Sequence, residues 1–120
     1  MRKVFIELFS GCGNLSKAVR ALGFPVISAD ILLDDIWDLS NRETYLVLLG
    51  WIESGLVLGL WCGTPCSTFS QARRAPPGSQ MPVRLRDQAH PRGVPGLSER
   101  DKKAVKMGTL LADRAASLLR

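Results

Sequence analysis

Two rhythms of apolar and polar positions alternate along this chain. Residues 3–8, KVFIEL, are a short β-prone apolar run closed by the polar and glycine residues of SGCG. That pattern predicts a buried strand followed by a tight turn. Residues 14–23, NLSKAVRALG, shift to helical spacing, with Leu15, Ala18, Val19 and Leu22 on one face and Gly23 at the C-terminal end. FPVISAD, residues 24–30, reads as a second short strand ending at Asp30. Strand, glycine turn, helix, strand and acid, in that order, predict the opening of a parallel α/β sheet.

The next stretch, ILLDDIWDL (31–39), fits either a brief third strand or a loop. Ser40 stands three residues before Glu43, a capping-box spacing that predicts a helix over 41–53. Its apolar face is Tyr45, Leu48, Leu49 and Ile52, and Gly55 ends it. LVLGLWC (56–62) is almost wholly apolar and reads as a central strand buried on both faces. Residues 72–98 then change character, with five prolines and three glycines. So long a connection in a small domain is commonly functional or disordered. Ser98, three before Asp101, opens a last helix whose inward stripe is Val105, Gly108, Leu111 or Ala112, Ala115 and Leu118. Lys102, Lys103, Lys106 and Arg114 fall mostly off that stripe.

Size and charge narrow the picture. The chain has 120 residues, enough for one small domain, and 46% of them are hydrophobic, enough for a packed core. No apolar run approaches the roughly 20 residues of a membrane span. Glu7 interrupts the basic and apolar start too early for a signal peptide. Three cysteines, Cys12, Cys62 and Cys66, do not make a disulfide framework, and with His90 the only histidine they do not complete a metal site. A reducing, intracellular location is expected, without distinction between nucleus and cytoplasm. The net charge of +5 is uneven: residues 1–72 carry five basic and seven acidic side chains, residues 73–120 eleven and four. A basic second half suits a polyanionic partner.

Two stretches carry candidate chemistry. In ELFSGCG, Gly11 and Gly13 permit a tight turn and close approach of a ligand, and the following helix offers unpaired N–H groups. Asp30, at the end of the neighbouring strand, is placed to accept ribose hydroxyls. A dinucleotide fingerprint would want a third glycine where Ser16 stands. Glu7, just before the turn, favours a nucleoside that carries positive charge, such as S-adenosylmethionine. Asp38 is a candidate contact to an adenine amino group. In GTPCSTFS (63–70), Gly63 permits a sharp exit from the strand and Pro65 stiffens the loop. Cys66 then sits on a rigid arc, as a covalent nucleophile requires, with Arg73 and Arg74 near in sequence. An inert thiol is the plain alternative. Cys12, between two glycines, and Cys62, at a strand end, read as structural.

ELFSGCGNLS resembles the cofactor-binding motif of the DNA cytosine-5 methyltransferases, and GTPCSTFS resembles their proline–cysteine catalytic motif. The two stand in the family's order with Asp30 between them, and the resemblance covers about residues 3–74. It implies an α/β fold, a partial Rossmann-like class I S-adenosylmethionine-dependent methyltransferase, three-layered around a parallel sheet. The chain divides accordingly into cofactor-binding βα units (3–62), a catalytic motif with a basic loop (63–98) and a helix (99–119), together a truncated catalytic domain (1–120). The resemblance further implies that Phe9, Gly11, Gly13 and Pro65 shape the cofactor pocket. It implies that Asp30 and Asp38 hold ribose and adenine, and that Cys66 attacks carbon 6 of a flipped cytosine so that carbon 5 takes the methyl group. Arg73, Arg74, Arg84 and Arg86 are the candidate contacts to DNA phosphates.

The chain also departs from the family. Ser67 replaces the glutamine that commonly follows the cysteine. Glu99 is the only glutamate after Cys66, and it lacks the family's E-N-V context. Slow or absent methyl transfer by this chain alone is therefore expected, with a second polypeptide supplying the missing glutamate and target-recognition segments. The rival expectations are a non-catalytic module that binds nucleic acid or a partner chain, and a nicotinamide-binding oxidoreductase. Ser16 and Glu7 speak against the latter, and Cys66 speaks against an amino-methylating relative, which would carry a second proline there. A half sheet would leave 56–62 as an apolar edge open to self-association.

Overall fold

The computed structural model describes residues 3–70, 73–76, 80 and 82–120. The chain is α/β, and its described residues form a three-stranded parallel sheet and three α-helices. It divides into two compact units. One runs to Thr64 and adds Arg114–Arg120, and the other is Pro65–Asp113.

In the first unit, β1 (Val4–Leu8) leads through the glycine turn into α1 (Asn14–Ala21), and β2 (Val26–Ala29) follows. A short 3₁₀ turn at Asp35–Trp37 precedes α2 (Arg42–Glu53), which leads to β3 (Val57–Cys62). The strand order is β2-β1-β3. Ile6 pairs with Ile27 on one side and Leu60 on the other, and Leu8 pairs with Ala29 and Cys62. β1 is thus the central strand, and its last three residues, Ile6, Glu7 and Leu8, are all buried. Leu39, Leu48, Ala115 and Leu118 are buried apolar side chains of the same unit. Each fully buried large aliphatic side chain contributes about 1.5–3 kcal/mol.

The sequence reading needs three corrections here, and one open alternative is decided. β3 is not central: it is an edge of the described sheet, with Leu58 51% and Trp61 58% exposed. The crossover from β2 carries it past β1, so its apolar content does not decide its rank. The cap of α2 is Asn41, not Ser40. Asn41 Oδ1 accepts from the Glu43 N–H at 2.9 Å, while the Ser40 hydroxyl donates to Asp38 Oδ1 at 2.6 Å. Of the two alternatives for residues 31–39 the loop is the outcome: Asp34 Oδ1 accepts from the Ile36 N–H and starts the 3₁₀ turn. Finally, the expected face of α1 is only partly covered: Leu15 and Val19 are half-buried, Ala18 is exposed and Leu22 is 76% exposed. Gly23, with φ 91°, does terminate α1, and the face of α2 is inward with Leu48 buried and Tyr45, Leu49 and Ile52 half-buried.

The end of α3 (Glu99–Leu118) belongs to the first unit. There Arg114 is bound rather than solvated: its Nη1 donates to the carbonyls of Leu39 (2.8 Å) and Ser40 (2.6 Å). The hydroxyls of Tyr45 and Ser117 lie 2.6 Å apart.

Among its described residues the second unit has little regular structure besides α3 and a 3₁₀ turn at Ser67–Phe69. Ala72, Pro77–Ser79 and Met81 of the proline-rich stretch lie outside the described residues. The rest folds back on itself. Ala75 bridges Val83, and the Val94 N–H donates to the Leu85 carbonyl at 2.9 Å. Val83, Leu85, Leu97 and Val105 form a small buried cluster, with Val94 against it. Ser98 opens α3, its Oγ accepting from the Asp101 N–H at 3.2 Å. Among the described residues no helix is long and apolar enough to cross a membrane.

Candidate functional site

In the first unit the order β2-β1-β3 reverses direction at β1. The crevice beyond the C-terminal ends of β1 and β3 is a topological switch point, where open α/β sheets place ligands. The glycine turn leaves β1 there, and Gly63 leaves β3 beside it. The Gly63 N–H donates to the Leu8 carbonyl at 3.0 Å, and a Cβ at Gly63 would stand 3.1 Å from the Phe9 carbonyl oxygen. A side chain there would push the two backbones a few tenths of an ångström apart.

The turn is strained and pinned. Phe9 has φ 56°, the one positive value at a non-glycine among the described residues, in the left-handed region that a bulky side chain disfavours. Gly11 (φ 57°) and Gly13 (φ 72°) adopt the same region without that cost. The Gly11 N–H donates to Asp30 Oδ2 at 2.7 Å, and the Leu32 N–H donates to Asp30 Oδ1 at 2.8 Å. One carboxylate therefore ties the turn after β1 to the turn after β2. A carboxylate has about four acceptor positions, so two remain for ligand hydroxyls. A Cβ at Gly11 would meet nothing within 4 Å, so the turn is open on that side. The Ser10 hydroxyl is buried with no hydrogen-bond partner, an unmet donor and acceptor within the turn.

Glu7 is buried and faces the start of α1. Its Oε1 accepts from the Ser16 N–H at 3.0 Å and the Ser16 hydroxyl at 2.7 Å. Gly13, the N-terminal flanking residue, has no side chain to cap the helix, so the strand supplies the cap. Ser16 is thus the cap's partner at the place where a dinucleotide motif would carry glycine. Asp38 is half-buried, and its Oδ1 already accepts from the Ser40 N–H (3.0 Å) and hydroxyl (2.6 Å).

In the second unit, Cys66 is a free, exposed thiol at the head of the Ser67–Phe69 turn, and its carbonyl accepts from the Phe69 N–H at 2.9 Å. Pro65 precedes it in a trans peptide. Cys12, in the first unit, is also exposed, while Cys62 is half-buried and burial pushes its thiol above its ordinary pKa. Exposure, rather than cysteine count, separates the reactive candidates from the inert one.

The four arginines fare differently. Arg86 is a brace. Its Nη1 donates to the Pro91 carbonyl and the Thr109 hydroxyl, both at 2.8 Å. Its Nη2 donates to the Thr68 hydroxyl (3.0 Å) and the Val105 carbonyl (3.1 Å). All four terminal N–H bonds are engaged within the chain, and the guanidinium carbon stands 3.7 Å over the Phe69 ring. Burial, then the nearby Arg92, lower its pKa, and Asp113 partly offsets them. Arg73 donates from Nε to the Ser67 carbonyl at 2.8 Å. Arg74 and Arg84 are exposed. All four line one cavity with Phe69.

Thr68, Thr109 and Gly108 belong to this arrangement and were not singled out for it in the sequence. Gly108 carried the available signal, a lone glycine inside a helical pattern, which marks close approach. A Cβ there would stand 2.6 Å from Thr68 Oγ1 and 3.2 Å from Arg86 Nη2. Among the described residues no group of three or more His, Cys, Asp or Glu side chains converges as a metal site. The chain matches no protein-family model, no curated protein and no solved structure.

Proposed function

We propose that this chain carries the cofactor and nucleophile parts of an S-adenosylmethionine-dependent DNA cytosine-5 methyltransferase, on a partial Rossmann-like class I fold. The observation that carries the reading is the Asp30 carboxylate, at the end of β2, bonded to the Gly11 N–H of the turn after β1 at 2.7 Å. The turn fits the cofactor: Asp30 retains acceptor positions for ribose hydroxyls, the Ser10 hydroxyl lacks a partner, and the turn is open at Gly11. The cofactor would supply an electrophilic methyl group. Phe9, Gly11 and Gly13 would shape the wall around it, and the Glu7 carboxylate lends negative charge below. Asp38 would need to share Oδ1 or use Oδ2 to reach an adenine.

Cys66, as thiolate, would attack carbon 6 of an unpaired cytosine. The C5–C6 double bond would then open toward carbon 5, which would take the methyl group as its bond to the cofactor's sulfonium breaks and a neutral thioether leaves. Loss of the carbon-5 proton to water or another base, with cleavage of the C6–S bond, would restore the ring and the thiolate. The acid that activates the ring is not evident in these residues. Glu99, the only glutamate after Cys66, has its side chain 84% exposed at the start of α3, 3.3 Å from Lys102 Nζ. That group would have to come from outside residues 1–120, for example from a second polypeptide, so turnover by these residues alone should be slow or absent. The same observation favours a second reading, a nucleic-acid-binding module without chemistry.

Calorimetric titration with S-adenosylmethionine tests the proposal, with NAD as comparison and Asp30→Ala as control. Saturable binding that NAD does not show and Asp30→Ala loses is the expected result. No binding by a chain whose circular dichroism shows it folded would overturn the methyltransferase reading and leave the second.

A further inference from the structure

Residues 21–41 are the acidic part of a basic chain. They hold Asp30, Asp34, Asp35 and Asp38 and no lysine or arginine, against a net charge of +5 for the whole. The same segment shows large aliphatic side chains to solvent: Leu32 is 87% exposed, Leu33 61% and Ile36 61%. One such side chain is ordinary on a surface, but several close together mark a place of contact.

The backbone beneath them is built, not slack. The Leu32 N–H donates to Asp30 Oδ1 at 2.8 Å, and the Leu33 N–H donates to the Asp30 carbonyl at 2.9 Å. The Ile36 N–H donates to Asp34 Oδ1 at 3.0 Å, and the Ile36 carbonyl accepts from the Thr44 hydroxyl of α2 at 2.8 Å. The turn is thus held at both ends with its apolar side chains outward, and a partner need not order it on binding. Asp34 and Asp35 are exposed within it. Two such turns face to face would set these carboxylates against each other, so like does not pair with like here.

A complementary surface stands on the same chain. In the first half of α3, Arg100, Lys103, Ala104 and Met107 are exposed at the spacing of one helix face. Arg100 and Lys103 make no ion pair among the described residues, whereas Lys102 lies 3.3 Å from Glu99. Lysine and arginine stems lie along apolar surface while their heads reach carboxylates, and a methionine adapts to irregular neighbours. The basic helix face therefore matches the turn in both charge and apolar content.

We propose that the turn at residues 32–36 of one copy docks on the exposed face of α3 in a second copy of this chain. Each copy carries both surfaces, so the contact is head-to-tail, and the copies close into a ring or run on as a filament. The inference goes beyond the proposed function and does not rest on it.

Sedimentation velocity across a range of concentrations tests it, in about 50 and about 500 mM potassium chloride. Association that grows with concentration and weakens about tenfold at the higher salt is expected. Leu33→Ser should weaken it about tenfold at either salt, through lost apolar burial. Leu22→Ser, at an equally exposed side chain beyond α1, should leave it near wild type. Asp34→Asn with Asp35→Lys should be monomeric, although the amide oxygen can still accept from the Ile36 N–H. Arg100→Glu with Lys103→Glu should be monomeric too. Mixing these two double variants should restore association, because each then meets opposite charge on the other, whereas a loss through misfolding would not be restored.

A chain that stays monomeric at the lower salt overturns the inference, and so does a mixture that stays monomeric. Association that survives both charge variants but is lost in Trp61→Lys also overturns it and assigns the contact to the β3 edge. Saturating S-adenosylmethionine should leave the association unchanged. Its loss would overturn the inference by giving the turn to a ligand held between Asp30 and Asp38. Intact association in a chain that does not bind S-adenosylmethionine upholds the inference and removes the methyltransferase reading alone.

Discussion

The two units of this chain are held together by different physics. The first is a parallel sheet with apolar side chains at its centre, where Ile6 and Leu8 pair on both sides through backbone ladders. Many small contributions share the load, so no one side chain dominates. In the second, the described residues between Pro65 and Glu99 hold no regular element longer than a three-residue turn. A small apolar cluster and the four hydrogen bonds of one guanidinium do the work of a ladder. The lesson is that a polar brace concentrates stability in one residue, whereas a sheet spreads it.

Arg86→Met gives the largest test of that contrast. It leaves two hydroxyls and two carbonyls without their donor and should destabilise the second unit by about 3 kcal/mol. Arg86→Lys should recover little, because an ammonium cannot span the fork. Amide exchange at Leu85 and Val94 would report the loss locally. Equal protection in wild type and Arg86→Met would break the comparison.

Gly108→Ala comes next. In an exposed helix this change stabilises by about 1 kcal/mol. Here the new Cβ would stand 2.6 Å from Thr68 Oγ1, and a net loss of about 2 kcal/mol in urea unfolding is expected. A gain in stability would mean that Thr68 and Arg86 are not fixed beneath the helix.

In the first unit the corresponding polar contact is Glu7 with Ser16. Glu7→Ala should cost about 1.5 kcal/mol and Glu7→Gln about half of that, since the amide oxygen still accepts. A cost as large as that of Arg86→Met would erase the distinction between the units. Asn41→Ala should cost about 1 kcal/mol through the lost cap of α2, and Ser40→Ala distinctly less. The reverse order would restore Ser40 as the cap.

The smallest effect is that of Cys62. Burial raises its pKa above the ordinary thiol value of 9.0, so the folded chain keeps the thiol protonated where the unfolded chain releases the proton. Its contribution is intact below pH 9.0 and is lost as pH rises through the folded pKa. The alkaline decline in melting temperature should therefore shrink in Cys62→Ala. Alkylation at neutral pH should reach Cys12 and Cys66 well before Cys62, and simultaneous labelling of all three would contradict the buried thiol.

Hydrophobic rhythm by itself determined the first unit's elements: the strands, the helices, the glycine turn and Asp30 beside it were all legible, because strand and helix spacing and glycine's freedom at positive φ are local properties. The Ser98 cap and the inward stripe of α3 were legible for the same reason. Two expectations stood for 56–62, a central strand and the apolar edge of a half sheet, and only the tertiary structure chose the edge, since rank in a sheet depends on where crossovers lead and not on a strand's own composition. Only it decided that Asn41 rather than Ser40 caps α2, because the Ser40 hydroxyl had a nearer acceptor in Asp38. Of four arginines that look alike in sequence, Arg86 became a brace because Thr68, Thr109 and Val105 stand within its reach. Periodicity reports which face of an element is apolar. It carries no information about which distant carbonyl or hydroxyl will meet a guanidinium, and that meeting fixes the second unit.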